Sequence, residues 1–242
     1  MESLNVATGL LALVAIFVSF VVSASAGLGG SLLLVPALVL VLGPKEGVAL
    51  AALLLGANNL VKVFAYRATL PWRKALPIVA TISLGAWLGA SLLVRASDQV
   101  VGIAVVTAFG VTLALERLRW RPARRVAGPV MAFGSGAVSG FSGTSGPLKG
   151  AAIRNLDLDR FHFVGAASIA SLAGDLTKVS VFTDAAILGA SSYAVALVAV
   201  PLMLAGTLMG RGFNQRTGER GFAVLFWSVM AGYTFRLISA IV

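Results

Sequence analysis

Apolar runs separated by short polar loops set the pattern of this chain. They cover residues 6–26, 47–65, 76–94, 100–115, 161–182, 193–210 and 222–241, each close to the roughly 20 residues a helix needs to cross a bilayer. The loops are mostly shorter than about ten residues, which leaves no stretch for a soluble catalytic domain. Two further apolar pieces, residues 31–42 and 147–156, have only ten to twelve residues and follow glycine-rich breaks. At a rise of about 1.5 Å per residue they are too short to span. The pattern predicts an all-α integral membrane protein with two broken helices.

The breaks belong to an internal repeat. At an offset of 116, Asn59-Leu60-Val61-Lys62-Val63 lies on Asp175-Leu176-Thr177-Lys178-Val179, Gly27-Leu28-Gly29-Gly30-Ser31 lies on Gly143-Thr144-Ser145-Gly146-Pro147, and Ser23 lies on Ser139. Residues 23–67 and 139–183 share 12 identities in 45 positions, where this composition alone gives about 4. The expected organisation is a first membrane repeat over residues 1–116, a basic cytoplasmic linker over 117–125 and a second repeat over 126–242. Paired glycine breaks with intramembrane polar residues are the sequence sign of a secondary transporter, its site lying where the halves meet.

The basic residues choose between two topologies. If each break lies within a single crossing, the halves are parallel and the loops carry eight basic residues on one side and seven on the other. If the chain doubles back at each break, the halves are inverted. Thirteen basic residues from Arg67 to Arg220 then fall on one side, and only Lys45 and Arg95 on the other. The positive-inside rule favours the inverted arrangement, with the thirteen in the cytoplasm and both termini outside. Each repeat then holds a broken-helix hairpin and three transmembrane helices. Residues 6–42 enter from the outside and residues 129–156 from the cytoplasm, with their tips near the midplane. Backbone that is not helical at that depth must line a cavity or be buried in protein.

Composition agrees with this picture. The chain of 242 residues is 58% hydrophobic and 12% charged, with a mean hydropathy of +0.95. A net charge of +10 would suggest nucleic acid in a soluble protein. Here the basic residues sit in loops beside helix ends, so no nucleic-acid partner is expected. The absence of cysteine excludes disulfides and thiolate metal sites. The first residues, Met-Glu-Ser, lack a basic region before the apolar run, and the segment is expected to be retained.

The candidate chemistry gathers at the breaks and in the repeated helix. Half-helix N-termini present unpaired N–H groups and a positive dipole end, which favour an anion. Gly29, Gly30 and Ser31 on one side, and Thr144, Ser145 and Gly146 on the other, permit close backbone approach. Pro147 suits a first helical position, and the hydroxyls are placed to donate to oxyanion oxygens. Small residues that merely let helices pack are the alternative.

Lys62 follows Asn59 by three residues, and Lys178 follows Asp175 by three, so each pair shares a helix face. The lysines are expected to attract an anionic substrate, or else to snorkel towards the interface. Asp175 is expected to pair with Lys178 or to carry a proton. Lys149 is placed to face the same cavity or to reach the headgroups. Arg236 is read as snorkelling outward and His162 as interfacial. Trp72 and Trp120 are read as interface anchors; Trp87 and Trp227 are the other tryptophans. Gly85 and Gly89, four apart, are candidates for a helix contact within the chain or between the copies of a homodimer. No metal constellation and no Walker-type loop is present in the sequence, so no cofactor, metal or ATP is expected.

The run Gly-Leu-Gly-Gly-Ser-Leu-Leu-Leu-Val-Pro-Ala-Leu from Gly27, the later Gly56-Ala57-Asn58-Asn59, and Ser139-Gly140-Phe141-Ser142-Gly143-Thr144-Ser145-Gly146-Pro147 resemble the paired motifs of the TauE/SafE membrane proteins, exporters of sulfite and organosulfonates. The likeness covers nearly the whole chain. It departs where Ser31 replaces a third glycine and where the second copy reads Gly-Thr-Ser-Gly-Pro. The resemblance implies efflux of small sulfur oxyanions or related organic anions across a bacterial inner membrane. A passive anion channel and a membrane scaffold are the competing functions; an enzyme is not expected.

Overall fold

A computed structural model of the chain describes residues 6–26, 31–117, 128–144, 146–206 and 209. Among these, the regular elements are all helical: α1 (Val6–Ala26), α2 (Ser31–Leu42), α3 (Pro44–Ala65), a 3-10 turn over Arg67–Thr69, α4 (Trp72–Arg95), α5 (Asp98–Arg117), α6 (Gly128–Ser142), α7 (Gly146–Arg154), α8 (Arg160–Asp184) and α9 (Ala190–Gly206). The last expected apolar run, nearly all of the linker, Trp120, Trp227 and Arg236 lie outside the described residues, as do Gly29, Gly30 and Ser145.

The two half-helices form where the sequence placed them. α2 has 12 residues and α7 has nine, about 18 and 14 Å of helix against a hydrocarbon core of about 30 Å. α7 ends two residues earlier than expected, in a turn that leads to Asp157 at a φ of 50°. α7 runs back along α6, so that a methyl group on Gly128, at the start of α6, would touch Asn155 beyond the end of α7. α2 likewise packs on α1, and its residues Leu32 to Val39 are all buried. The next turn is made at Gly43, whose φ of 92° suits a residue without Cβ. Pro44 follows at the first position of α3, where no N–H is needed.

α4 and α6 make a closer contact than any bulky side chain permits. A Cβ on Gly85 would overlap the Phe133 carbonyl, one on Gly89 the Ala137 carbonyl, one on Gly136 the Ile82 carbonyl, and one on Gly140 the Ala86 carbonyl. The order of these contacts shows that the two helices run parallel. The glycine pair singled out in the sequence therefore acts inside the chain. Replacing Gly89 by Leu is expected to cost more than about 3 kcal/mol by overpacking and to remove most of the folded protein from a gel-filtration profile. Gly134→Ala is the control, because a Cβ there meets nothing within 4 Å.

α3 and α8, the helices carrying the repeated lysines, pack against each other in opposite directions. Asn59 meets Asp175, whereas Thr69, just past α3, lies against Gly165 near the start of α8. Their first residues, Pro44 and Arg160, stand one repeat offset apart, as do the last residues of α1 and α6. The outer faces of the bundle are apolar: Leu76, Leu84 and Leu92 of α4, and Leu197 and Val198 of α9, are exposed. Such faces suit lipid. α3 and α4 are long and apolar enough to cross a membrane. α8 has the length, with 25 residues, but it is less apolar because one of its faces carries the polar cluster described next.

Candidate functional site

Polar residues on α8 recur at Ser168, Ser171, Asp175 and Lys178, a spacing of three or four that places them on one face. Facing them, α3 offers Asn59 and Lys62 one turn apart, and α7 offers Lys149. These side chains line a cavity of about 380 Å³. Ser31, the first residue of α2, and Gly143, at the second break, also reach it. The two half-helix regions touch directly: Gly143 has a φ of 79°, and a Cβ there would press to 2.9 Å from the Val35 methyls of α2. One cavity is thus lined by the first residue of α2, by Gly143 ahead of α7 and by both repeated helices.

Within it, Lys178 is the most tightly held group. Its Nζ lies 2.7 Å from Asp175 Oδ1 and donates to Ser139 Oγ at 3.0 Å, and the residue is only 1% exposed. Asn59 donates from Nδ2 to Asp175 Oδ2 at 2.7 Å. Both carboxylate oxygens are therefore engaged, and the pair of residues that the repeat makes equivalent, Asn59 and Asp175, meet each other. Snorkelling does not describe Lys178, whose ammonium points into protein. A buried ion pair of this kind survives only with good geometry and further hydrogen bonds; the Ser139 and Asn59 contacts supply them.

Lys149 donates to Ser171 Oγ at 2.7 Å, and Ser171 gives its own proton to the Ala167 carbonyl at 2.7 Å. Lys149 therefore faces the cavity. Lys62 lines the same space, and its side chain has no hydrogen bond or ion pair among the described residues. Three ammonium groups and one carboxylate thus carry the site's charge among the described lining residues, a net excess of two positive charges. Tyr66, at the end of α3, and Phe163, near the start of α8, also line it.

Of the other residues read from the sequence, Thr144 is buried with its hydroxyl unpartnered among the described residues, and Gly146 opens α7. His162 is half-exposed. Its backbone N–H donates to Asp159 Oδ1 at 3.0 Å, and its ring lies 2.5 Å from Oδ2, so it belongs to the cap of α8. Trp72, the first residue of α4, is exposed beside Arg73 and Lys74. Ser168, Ser171 and Asn58 were missed as site residues. The three-and-four spacing of the α8 serines ahead of Asp175 is the signal that would have found them.

Regular elements that are all helical among the described residues, apolar outer faces and a charged cavity beside two short helices have the build of a membrane transport protein. The chain belongs to the sulfite exporter TauE/SafE family, whose pattern it matches over residues 11–237. Neither the curated proteins nor the solved structures include a match.

Proposed function

We propose that this protein is a secondary transporter that exports small anions, sulfite or sulfoacetate and related organosulfonates, across the inner membrane through two inverted repeats. The observation that carries the reading is the excess of positive charge in the cavity, at a point reached by the N-terminus of α2. An unneutralised ammonium in a low-dielectric interior is costly, and a bound anion offsets that cost. The opposite directions of α3 and α8, which carry the same motif, support inverted halves, because equivalent helices of parallel halves would point the same way. The return of α7 along α6 supports a hairpin.

The lining residues Tyr66 and Phe163 lie close in sequence to Arg67 and Arg160, which suits a state loaded from the cytoplasm, with alternating access releasing the anion outside. An inside-negative potential assists exit by about 2.3 kcal/mol per charge per 100 mV, so no proton needs to be coupled. Asp175, with both oxygens engaged, is assigned to pairing and not to proton transfer. The purified protein is expected to bind radiolabelled sulfite or sulfoacetate saturably in equilibrium dialysis. Retention no greater than that of an unrelated membrane protein for both anions would reject the assignment.

A further inference from the structure

The three lysines of the cavity are not equivalent, and their hydrogen bonds divide them. Lys178 is committed to the carboxylate of Asp175 and the hydroxyl of Ser139. That pair is neutral and braces α8 against α6, while Asn59 ties the same carboxylate to α3. Lys62 and Lys149 remain. The side chain of Lys62 has no polar partner among the described residues, and that of Lys149 has one neutral hydroxyl. Lys62 and Lys149 line the same cavity, and the one carboxylate among its described lining residues already has both oxygens engaged. Two like charges facing one confined space repel, and each also carries a desolvation cost. A single bound particle bearing two negative charges relieves both.

The repeat adds a second argument. The position equivalent to Lys149 in the first half is Leu33, a buried residue of α2. The same place in a half-helix is thus served by an apolar side chain, so packing does not demand the ammonium of Lys149. Its long chain instead delivers charge to the cavity, which Leu55, Phe163 and Val164 also line.

We propose that Lys62 and Lys149 form a two-cation cradle that selects a doubly charged small anion over a singly charged one, with Lys178 kept apart as a structural cation. The inference rests on the anion-transport reading above and goes beyond it by assigning the charge state of the substrate and the residue that sets it. The test compares sulfoacetate, doubly charged near neutral pH, with methanesulfonate, singly charged and of similar bulk at the sulfur. Initial flux of each is measured in proteoliposomes across a concentration series.

The native protein is expected to half-saturate with sulfoacetate at a concentration at least about tenfold lower, the loss expected for one charge-assisted contact. In Lys149→Met the ratio should fall towards one, and in Lys149→Arg it should stay near native. A native protein that moves both anions with equal half-saturation overturns the cradle while leaving anion transport in place, and this outcome needs no variant. A preference that survives in Lys149→Met overturns the role of Lys149. Movement of neither anion by folded native protein overturns the transport reading and the cradle with it.

Discussion

Replacing Lys178 by Met is expected to destabilise the protein before it does anything else. The substitution strips the partner from Asp175, a carboxylate only 6% exposed, and leaves Asn59 as its nearest support. Breaking a buried ion pair from one side costs about 3–5 kcal/mol, which for a chain of this size lowers the thermal midpoint by on the order of 10 °C. Asp175→Asn should be harmful in the same way, because it leaves the Lys178 ammonium unpaired beside Ser139. The double variant, Asp175→Asn with Lys178→Met, removes both charges and should recover most of the lost midpoint, the non-additivity expected of contacting residues. Thermal unfolding of the four proteins in one detergent reads this directly. Additive losses in the double variant would mean that the two groups act separately.

Lys62→Met is expected to behave in the opposite manner. Lys62 is partly buried and its side chain has no hydrogen bond or ion pair among the described residues, so its removal breaks no internal pair and relieves repulsion with Lys149. Its midpoint should stay within about 2 °C of native or rise slightly. Anion flux, however, should fall ten- to a hundredfold, since a hydrogen bond to a charged group is worth about 1.5–3 kcal/mol and about 1.4 kcal/mol is a factor of ten. Measured side by side, flux and midpoint are expected to separate the two repeated lysines, the loss in Lys178→Met falling mainly on the midpoint and the loss in Lys62→Met on flux. Normal flux in Lys62→Met would return that residue to a snorkelling role.

The division between these lysines shows how far the sequence could be read. The repeat offset located Lys62 and Lys178 as equivalents, and the glycine breaks located both half-helices to within two residues, because hydrophobic length and glycine content act locally. The different fates of the lysines were not legible. They depend on the neighbours that packing supplies: Ser139 from α6 reaches Lys178, whereas no described residue does the same for Lys62. The role of Asp175 was left between pairing and proton transfer for the same reason, and the Asn59 contact across the repeat interface favours pairing.

Gly85 and Gly89 told of a close helix contact but not of the partner. A small-residue stripe permits approach from any helix, and only the matching glycines of α6 make it an internal one. Ser168 and Ser171 were legible in principle, since their spacing ahead of Asp175 is helical. Lys149 was ambiguous because a long side chain on a short helix can reach either water or a cavity, and Ser171 is what holds it inward.

The most direct test of the account is flux of radiolabelled sulfite into proteoliposomes under an imposed inside-positive potential, with Lys62→Met protein, shown to be equally folded, beside the native one. The account predicts uptake that saturates with sulfite concentration in the native protein and drops at least tenfold in the variant. Uptake that does not saturate, that is equal in both proteins, or that is no greater than in empty vesicles would contradict an anion carrier acting through this cavity.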